Sequence, residues 1–321
     1  MARSDKPKRT QSLPAKEGSS QPKSFVVAPD EARTPLDRWL RQKLDGASWN
    51  QVRRLIETGK IKLDGERCLD PTALLRAGAT IEIVWNAPRL DERRLPSSAL
   101  VYVDGQVVVV EKPAGISTVP FEPHERGTLD DLVERLLSAR EGSRRGPLGI
   151  VHRLDKETSG LLLFARTLNA KRELKNQFRF HTVKRRYFAI VQGAMEARTL
   201  TSRLVQDRGD GLRGSTENPT LGRVATTHVR VIERLRNATF VECRLETGRT
   251  HQIRIHLAEA GHPLVGERVY SRGYSGPVIS AERVLLHAFE LGFEHPTSRK
   301  PMLFTSELPS DMRRMLRELA R

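Results

Sequence analysis

Residues Ile150–Arg166 read I-V-H-R-L-D-K-E-T-S-G-L-L-L-F-A-R. Two apolar residues enter a short loop that collects His152, Arg153, Asp155, Lys156, Glu157, Thr158 and Ser159, and Gly160 closes it. Leu161–Ala165 then run without a polar residue and stop at Arg166, as a short strand buried on both faces does. A carboxylate beside such a strand stands on a rigid support, which is what a reacting group needs. Asp155 is therefore the first candidate catalytic residue. The same residues also read as a solvated turn, because Asp next to Lys and ahead of Thr-Ser-Gly is ordinary turn chemistry.

The 321-residue chain carries 55 Lys and Arg against 39 Asp and Glu, a formal charge of +16. Its length accommodates more than one domain. The cationic excess points to a polyanionic partner, through counterion release and electrostatic steering. No apolar run approaches the length of a membrane span and no basic amphipathic anchor stands out, so nucleic acid is expected rather than a membrane. Cys68 and Cys243 are too few and too far apart for a disulfide framework or a CxxC metal site, and read as small buried apolar residues. The N-terminus is cationic without an apolar segment before a cleavage site, so a reducing, cytoplasmic location is expected.

Upstream, residues 1–33 are rich in Lys, Arg, Ser, Pro and Gln and are expected to be a disordered tail. Its Arg3, Lys6, Lys8, Arg9, Lys16 and Lys23 read either as a solubilising set or as an auxiliary RNA clamp. Order is expected from Thr34, an N-cap followed by Pro35 at the first helical position and by Leu36, Trp39, Leu40 and Leu44 on one face. Ser48 with Gln51 forms a capping-box pattern for a second helix, with Val52, Leu55 and Ile56 as its stripe and Gly59 as its stop. Lys60–Leu63 alternates as a strand, Asp64-Gly65 is a hairpin turn, and Thr80–Trp85 alternates again. Arg53, Arg54, Lys60 and Lys62 make this small α/β module, residues 34–86, a candidate RNA-binding unit. Residues 87–98, with two prolines and mixed charge, read as a linker.

Residues 99–321 remain for a larger domain. Strands are expected on both sides of Asp104-Gly105, followed by the turn Lys112-Pro113-Ala114-Gly115. A helix begins at Thr128, Glu141–Gly146 is a polar loop, and a basic helix spans 169–180 with Leu174 and Phe178 as its stripe. Lys184–Val191 is a strand entered through Lys184, Arg185 and Arg186; Asp207–Gly222 reads as a long mobile loop. Strands at 224–231 and 239–245 lead into Glu246–Leu257, and a terminal helix covers 309–321. His251, His256 and His262 lie close in sequence, but they form neither an i, i+4 helical pair nor H-E-x-x-H. Their Gly- and Thr-rich neighbours predict loop and strand, and no metal is expected. No phosphate-binding or dinucleotide fingerprint occurs, so no cofactor is expected.

H-R-L-D-K-E-T-S-G-L-L-L-F-A-R at 152–166 resembles the signature loop of RluA-type RNA pseudouridine synthases. K-P-A-G at 112–115, K-x-x-Y-x-A-x-V-x-G at 184–193 and T-G-R-T-H-Q-I-R-x-H at 247–256 match that family in order. R-R-L-I-E-T-G-K-I-K-L-D-G at 53–65 resembles the ribosomal-protein-S4-like RNA-binding domain. The resemblance implies an α+β fold: a catalytic domain with a mixed, mainly antiparallel sheet and flanking helices, preceded by the small S4-like domain. It implies Asp155 as nucleophile, Tyr187 against the target base, and Arg254 paired with Asp155. It further implies Arg153 filling the space of a flipped nucleotide, with His152, Arg249, His251 and Lys112 at the substrate, Lys112 as a phosphate contact or a structural cation. The expected partner is RNA and the expected state a monomer. Large-subunit ribosomal RNA is the expected substrate, with transfer RNA as the alternative; a catalytically silent ribosome-assembly factor on the same fold is the reading from another class.

Overall fold

The computed structural model describes residues 23–68, 70–85, 95–120, 125, 127–142 and 146–320. Arg3, Lys6, Lys8, Arg9 and Lys16 of the expected tail lie outside these, as do residue 86 of the expected small module, residues 87–94 of the expected linker and 143–145 of the expected polar loop. The chain divides into two compact units at Arg94 and Leu95.

In the first unit the elements are β1 (Lys23–Val26), α1 (Leu36–Lys43), α2 (Trp49–Glu57), β2 (Ile61–Leu63), β3 (Glu66–Arg67) and β4 (Thr80–Ile83). The strands form an antiparallel sheet in the order β1-β4-β2-β3. Helix α2 starts where the capping box predicts: Gln51 N–H donates to Ser48 Oγ at 3.3 Å and Ser48 N–H to Gln51 Oε1 at 2.7 Å. Asp64 and Gly65 both have positive φ, 50° and 83°, as a two-residue hairpin turn that follows strand twist requires. Trp39, Leu40, Val52, Ile56, Ile61, Ile81 and Ile83 are fully buried in one core.

Two expectations fail here. Residues 23–33 are not tail: β1 pairs with β4 from Lys23↔Ile83 to Val26↔Thr80, Val27 is buried, and Phe25 meets Trp39 edge-on at 5.7 Å. Averaging composition over 33 residues hides a four-residue strand that contains Phe25 and Val26. Thr34 does not cap α1 either; Pro35 occupies the cap position without a side-chain bond, and the helix starts at Leu36.

The second unit continues with β5 (Leu100–Val103), β6 (Val107–Lys112), α3 (Leu129–Glu141), β7 (Gly149–Ile150), β8 (Ser159–Ala165) and α4 (Leu168–Arg179). It goes on with β9 (Lys184–Gln192), β10 (Arg198–Val205), β11 (Gly214–Thr216), β12 (Arg223–Leu235), β13 (Ala238–Leu245) and α5 (Gln252–Glu259). It ends with β14 (Leu286–Glu294), β15 (Pro301–Thr305) and α6 (Ser310–Leu319). The sheet runs β11-β10-β12-β13-β9-β14-β8-β6-β5, with β15 added to β14 and β7 to β8. Pairing is antiparallel except between β14 and β8.

Every residue of β8 is buried. The strand period of two splits it between two cores: Leu162 and Phe164 pack with Leu129, Leu132 and Val133 of α3, and Leu161, Leu163 and Ala165 with Ala170 and Leu174 of α4. Helices thus cover both faces, each buried Leu or Phe contributing roughly 1.5–3 kcal/mol. A charge at Leu162 would break this layer. Gly160 sits at φ 112° where β8 meets β14, and a Cβ there would overlap the Ala288 carbonyl, so only glycine lets the strands close.

Two further expectations need correction. The segment 207–222 is not an open loop: it carries β11, paired to β10, and Asp207 Oδ1 accepts from the N–H groups of Gly209 and Gly211. The stretch after Arg249 is the helix α5, not loop and strand, and Gln252–Leu257 are buried. Gly and Thr upstream of it form the approach to the helix. Among the described residues, no helix is long and apolar enough to cross a membrane.

Candidate active site

A cleft of about 750 Å³ in the second unit is lined by residues of the 151–158 loop, α4, the start of β9, and 248–254. Cavities of this size suit a small organic group or nucleotide. Asp155, Tyr187, Arg254, Arg153, His152, Arg249 and His251 all line it, whereas Lys112 does not.

The loop carrying Asp155 is tied down on each side of that residue. Leu154 is buried and clasped reciprocally by Thr118, whose hydroxyl donates to Leu154 O at 2.7 Å and accepts from Leu154 N–H at 3.1 Å. Lys156 O accepts from the Lys112 ammonium at 2.9 Å and from Gly115 N–H at 2.8 Å. Glu157 O accepts from Arg283 Nη1 at 3.2 Å. Thr158 N–H closes the turn onto Asp155 O at 3.1 Å. The Asp155 side chain is 17% exposed, so its carboxylate reaches the cleft from an immobilised backbone.

Lys112 is thus a structural cation. It is fully buried, and its three protons meet the carbonyls of Pro113, Ile116 and Lys156 at 3.0, 2.8 and 2.9 Å. A phosphate contact is excluded by this burial, which also lowers the ammonium pKa to about 7 against the opposing pull of Asp155 and Glu157. His152 is likewise built into the scaffold. Its Nε2 accepts Leu163 N–H of β8 at 2.9 Å, its ring stacks on Phe178 at 4.6 Å, and burial, then Arg185, pushes its pKa down to about 3. Only its other nitrogen and ring face are left for a ligand.

Arg254 does not grip Asp155. Its Nε and Nη2 bind both oxygens of Glu267 at 2.7 Å each, a bidentate pair with side chains 9% and 0% exposed. Asp155 contributes to the Arg254 environment only through space. Helix geometry explains this: α5 carries Arg254 toward the 264–270 turn, a placement that a loop or strand reading could not anticipate. The cation-capable atom within 4 Å of Asp155 among the described residues is His251 Nε2, at 3.9 Å. Gln252, fully engaged, holds the approach to α5: Oε1 accepts from Arg249 N–H and Thr247 Oγ1, and Nε2 donates to Thr226 O and Thr227 Oγ1.

Tyr187 is buried on β9, between Cys243 and Ala288 of the flanking strands, and burial raises its phenol pKa. Two residues earlier on the same strand face lies Arg185, also buried, over the Phe178 ring at 5.5 Å. Its Nε is the buried side-chain atom without a hydrogen-bond partner among the described residues. Gly248 gives it room, since a Cβ there would strike Arg185 Nη1. Sequence reading missed Arg185, although its i−2 spacing from Tyr187 was the available signal. Arg153 is exposed at the cleft, and half-buried Arg249 has its pKa lowered by burial and by Arg223.

The histidines beyond His251 point elsewhere: His256 Nδ1 to Thr227 Oγ1 at 2.9 Å and His262 Nδ1 to Gln192 O at 2.9 Å. In the first unit, Arg53 and Arg54 are exposed and Lys60 and Lys62 half-buried. Arg53 Nε contacts Asp37 at 3.1 Å, and the guanidinium groups of Arg41 and Arg53 flank the exposed Trp49 ring at 4.7 and 5.9 Å.

The RNA pseudouridylate synthase family profile matches residues 106–259, and the S4 domain profile residues 34–81. The chain is 35% identical over 298 residues to ribosomal large subunit pseudouridine synthase D of Zymomonas mobilis, covering 88% of this chain and 93% of that protein. It is 34% identical over 303 residues to the protein of the same name from Nitrosomonas europaea, covering 92% and 87%. Among solved structures, human RNA pseudouridylate synthase domain containing 4 superposes with a TM-score of 0.55 at 22% identity, over 66% of this chain and 89% of that one, which speaks for the fold. With an S4 domain ahead of a synthase domain and relatives matched along nearly their whole length, the chain belongs to the RNA pseudouridine synthase family.

Proposed function

We propose that this chain isomerises specific uridines of large-subunit ribosomal RNA to pseudouridine, with Asp155 as the nucleophile. The observation that carries the reading is the Asp155 carboxylate, presented to the cleft from a loop anchored at Leu154, Lys156 and Glu157. The reaction breaks the bond between N1 and C1′, turns the base, and joins C1′ to C5. It needs no redox partner, so a held carboxylate and an unstacked base suffice as its starting point. The first bond from Asp155 goes to the sugar or to the base ring. The target uridine must leave its stack to enter the cleft. Tyr187 would pack on that base, Arg153 would take its place in the RNA, and Arg249 would face the flanking backbone. Arg254 would supply positive potential to Asp155 from its ion pair with Glu267. Arg53, Arg54, Lys60 and Lys62 with Trp49 would bind RNA outside the target loop. The ribosomal substrate is argued from the names of the relatives and from the S4 domain.

Tritium release from RNA labelled at uridine C5 tests this directly, because that hydrogen leaves only when C5 becomes the glycosidic carbon. Deproteinised ribosomal and transfer RNA are assayed in parallel with wild type and Asp155→Ala. Release from ribosomal RNA that Asp155→Ala abolishes, with RNA binding retained, is expected. Release from transfer RNA alone would replace the substrate, and release by the variant would refute the nucleophile. Tight binding without release from either RNA or from ribosomal particles would favour a silent assembly factor.

A further inference from the structure

Pseudouridine formation also moves a proton: the C5–H bond must break after C1′ has joined C5, and N1 must gain a proton. A base is therefore needed in the cleft at that step. Most of the titratable groups that line it are unavailable. Tyr187 is a buried phenol held in its protonated form by its surroundings. The Nε2 lone pair of His152 is used by Leu163 N–H. The arginines stay charged. His181 and Lys175 are exposed at the rim.

His251 is left, and it is built into place. Its Nε2 lies 3.9 Å from Asp155 Oδ1, and its Nδ1 is 2.6 Å from the Tyr270 hydroxyl. Tyr270 is itself fixed: it is buried, Arg254 lies over its ring at 5.2 Å, and its N–H bonds Glu267 Oε1 at 3.3 Å. His251 stands at the cap of α5 with φ 58° and ψ 16°, a left-handed conformation uncommon for a residue with a side chain. Backbone strain of this kind concentrates where a side chain must be aimed at a site.

We infer that His251 is the base that removes the C5 proton, with Tyr270 fixing its ring. This inference rests on the synthase reading above. With Nδ1–H donated to the Tyr270 oxygen, the Nε2 lone pair faces the cleft beside Asp155. The electron pair of the C5–H bond returns to the ring, the proton passes to Nε2, N1 takes a proton from water, and the imidazolium gives its proton to the hydroxide so formed. The reaction remains a net isomerisation. The imidazolium formed would stand next to the Asp155 carboxylate, which lowers the barrier to its formation. Burial, then Arg254 and Arg213, lowers the His251 pKa and favours the neutral imidazole, while Asp155 and Glu267 oppose them and Tyr270 adds no charge.

The test uses full-length protein and RNA carrying either hydrogen or deuterium at uridine C5, under single-turnover conditions across pH. His251→Asn is the informative variant, because Asn accepts the left-handed backbone and can still bond Tyr270 but cannot act as the base. It should slow turnover about 10²- to 10⁴-fold, raise the deuterium isotope effect to a full primary value, and abolish the acid limb of the pH profile. Tyr270→Phe should lose less rate and keep that limb. A His251→Asn protein that is folded and equally fast, or slowed with unchanged isotope effect and acid limb, would overturn the inference. Wild type releasing no C5 hydrogen would instead sink the synthase reading, and the inference with it.

Discussion

Replacing Lys112 with methionine separates a structural cation from a phosphate-binding one. Methionine fills nearly the same volume and loses all three hydrogen bonds. Lys156 O keeps the Gly115 N–H, but Pro113 O and Ile116 O lose the ammonium. A buried acceptor left unpaired costs roughly 1–3 kcal/mol, so two give about 2–6 kcal/mol. Relief of the buried ammonium's desolvation, and the apolar fill, reduce this to about 2–4 kcal/mol. With an urea slope of roughly 2–3 kcal/mol per molar, the unfolding midpoint of the catalytic unit should fall by about 1 M. Turnover should fall more than substrate affinity, because the loop carrying Asp155 loses an anchor one residue away. The salt dependence of RNA binding decides the role: a phosphate contact would lower the log–log slope by about one, whereas this buried lysine should leave it unchanged. A stable, fully active Lys112→Met protein, or one with a reduced slope, would refute the assignment.

Glu267→Gln should destabilise the protein by about 3–5 kcal/mol in denaturant melts, because it strands the buried Arg254 charge; an unchanged midpoint would contradict the pairing. Arg254→Lys should cut turnover despite keeping the charge, since ammonium cannot engage both Glu267 oxygens; wild-type rates would show the fork to be dispensable. His287 is buried between Ser159 and Ser306, and burial, then Arg283, lowers its pKa to about 4. The unfolded chain takes up that proton near pH 6.5 while the folded one resists until about pH 4. Stability is therefore lost as pH falls through this window, by up to about 3 kcal/mol, and His287→Asn should flatten that part of the pH profile. Gly160→Ala should fail to reach wild-type stability, as its methyl would force β8 from β14; a neutral change in midpoint would count against that packing.

The sequence carried the elements whose cause is local. The capping box at Ser48, the two-residue turn at Asp64-Gly65 and the fully apolar strand at 161–165 each follow from residues within a few positions. The clasp of Leu154 by Thr118 spans 36 residues, and the bond from Arg283 to Glu157 spans 126. No spacing encodes such contacts, so the scaffold of the Asp155 loop stayed invisible and Lys112 remained undecided between two roles. Asp155, Tyr187 and Arg254 all line one cleft, but the pairing of Arg254 is with Glu267 and not with Asp155. Glu267 and Tyr270 were missed for the same reason as Thr118: their importance arises only once α5 is a helix and the 264–270 turn folds against it.

The position of Arg254 bears on how a carboxylate can remain reactive in a cationic protein. A guanidinium bound bidentately to Asp155 would occupy the lone pairs that the reaction must use, and those bonds would have to break in the transition state. With Nε and Nη2 committed to Glu267, Arg254 instead contributes charge without a hydrogen bond. Glu267 fixes the guanidinium and, through the N–H groups of Val269 and Tyr270, also fixes the turn that orients His251. One carboxylate thereby sets both the field at Asp155 and the geometry of the neighbouring imidazole, while Asp155 makes neither bond. Losing Glu267 should therefore affect the Asp155 step and the His251 step together, whereas His251→Asn should affect only the second.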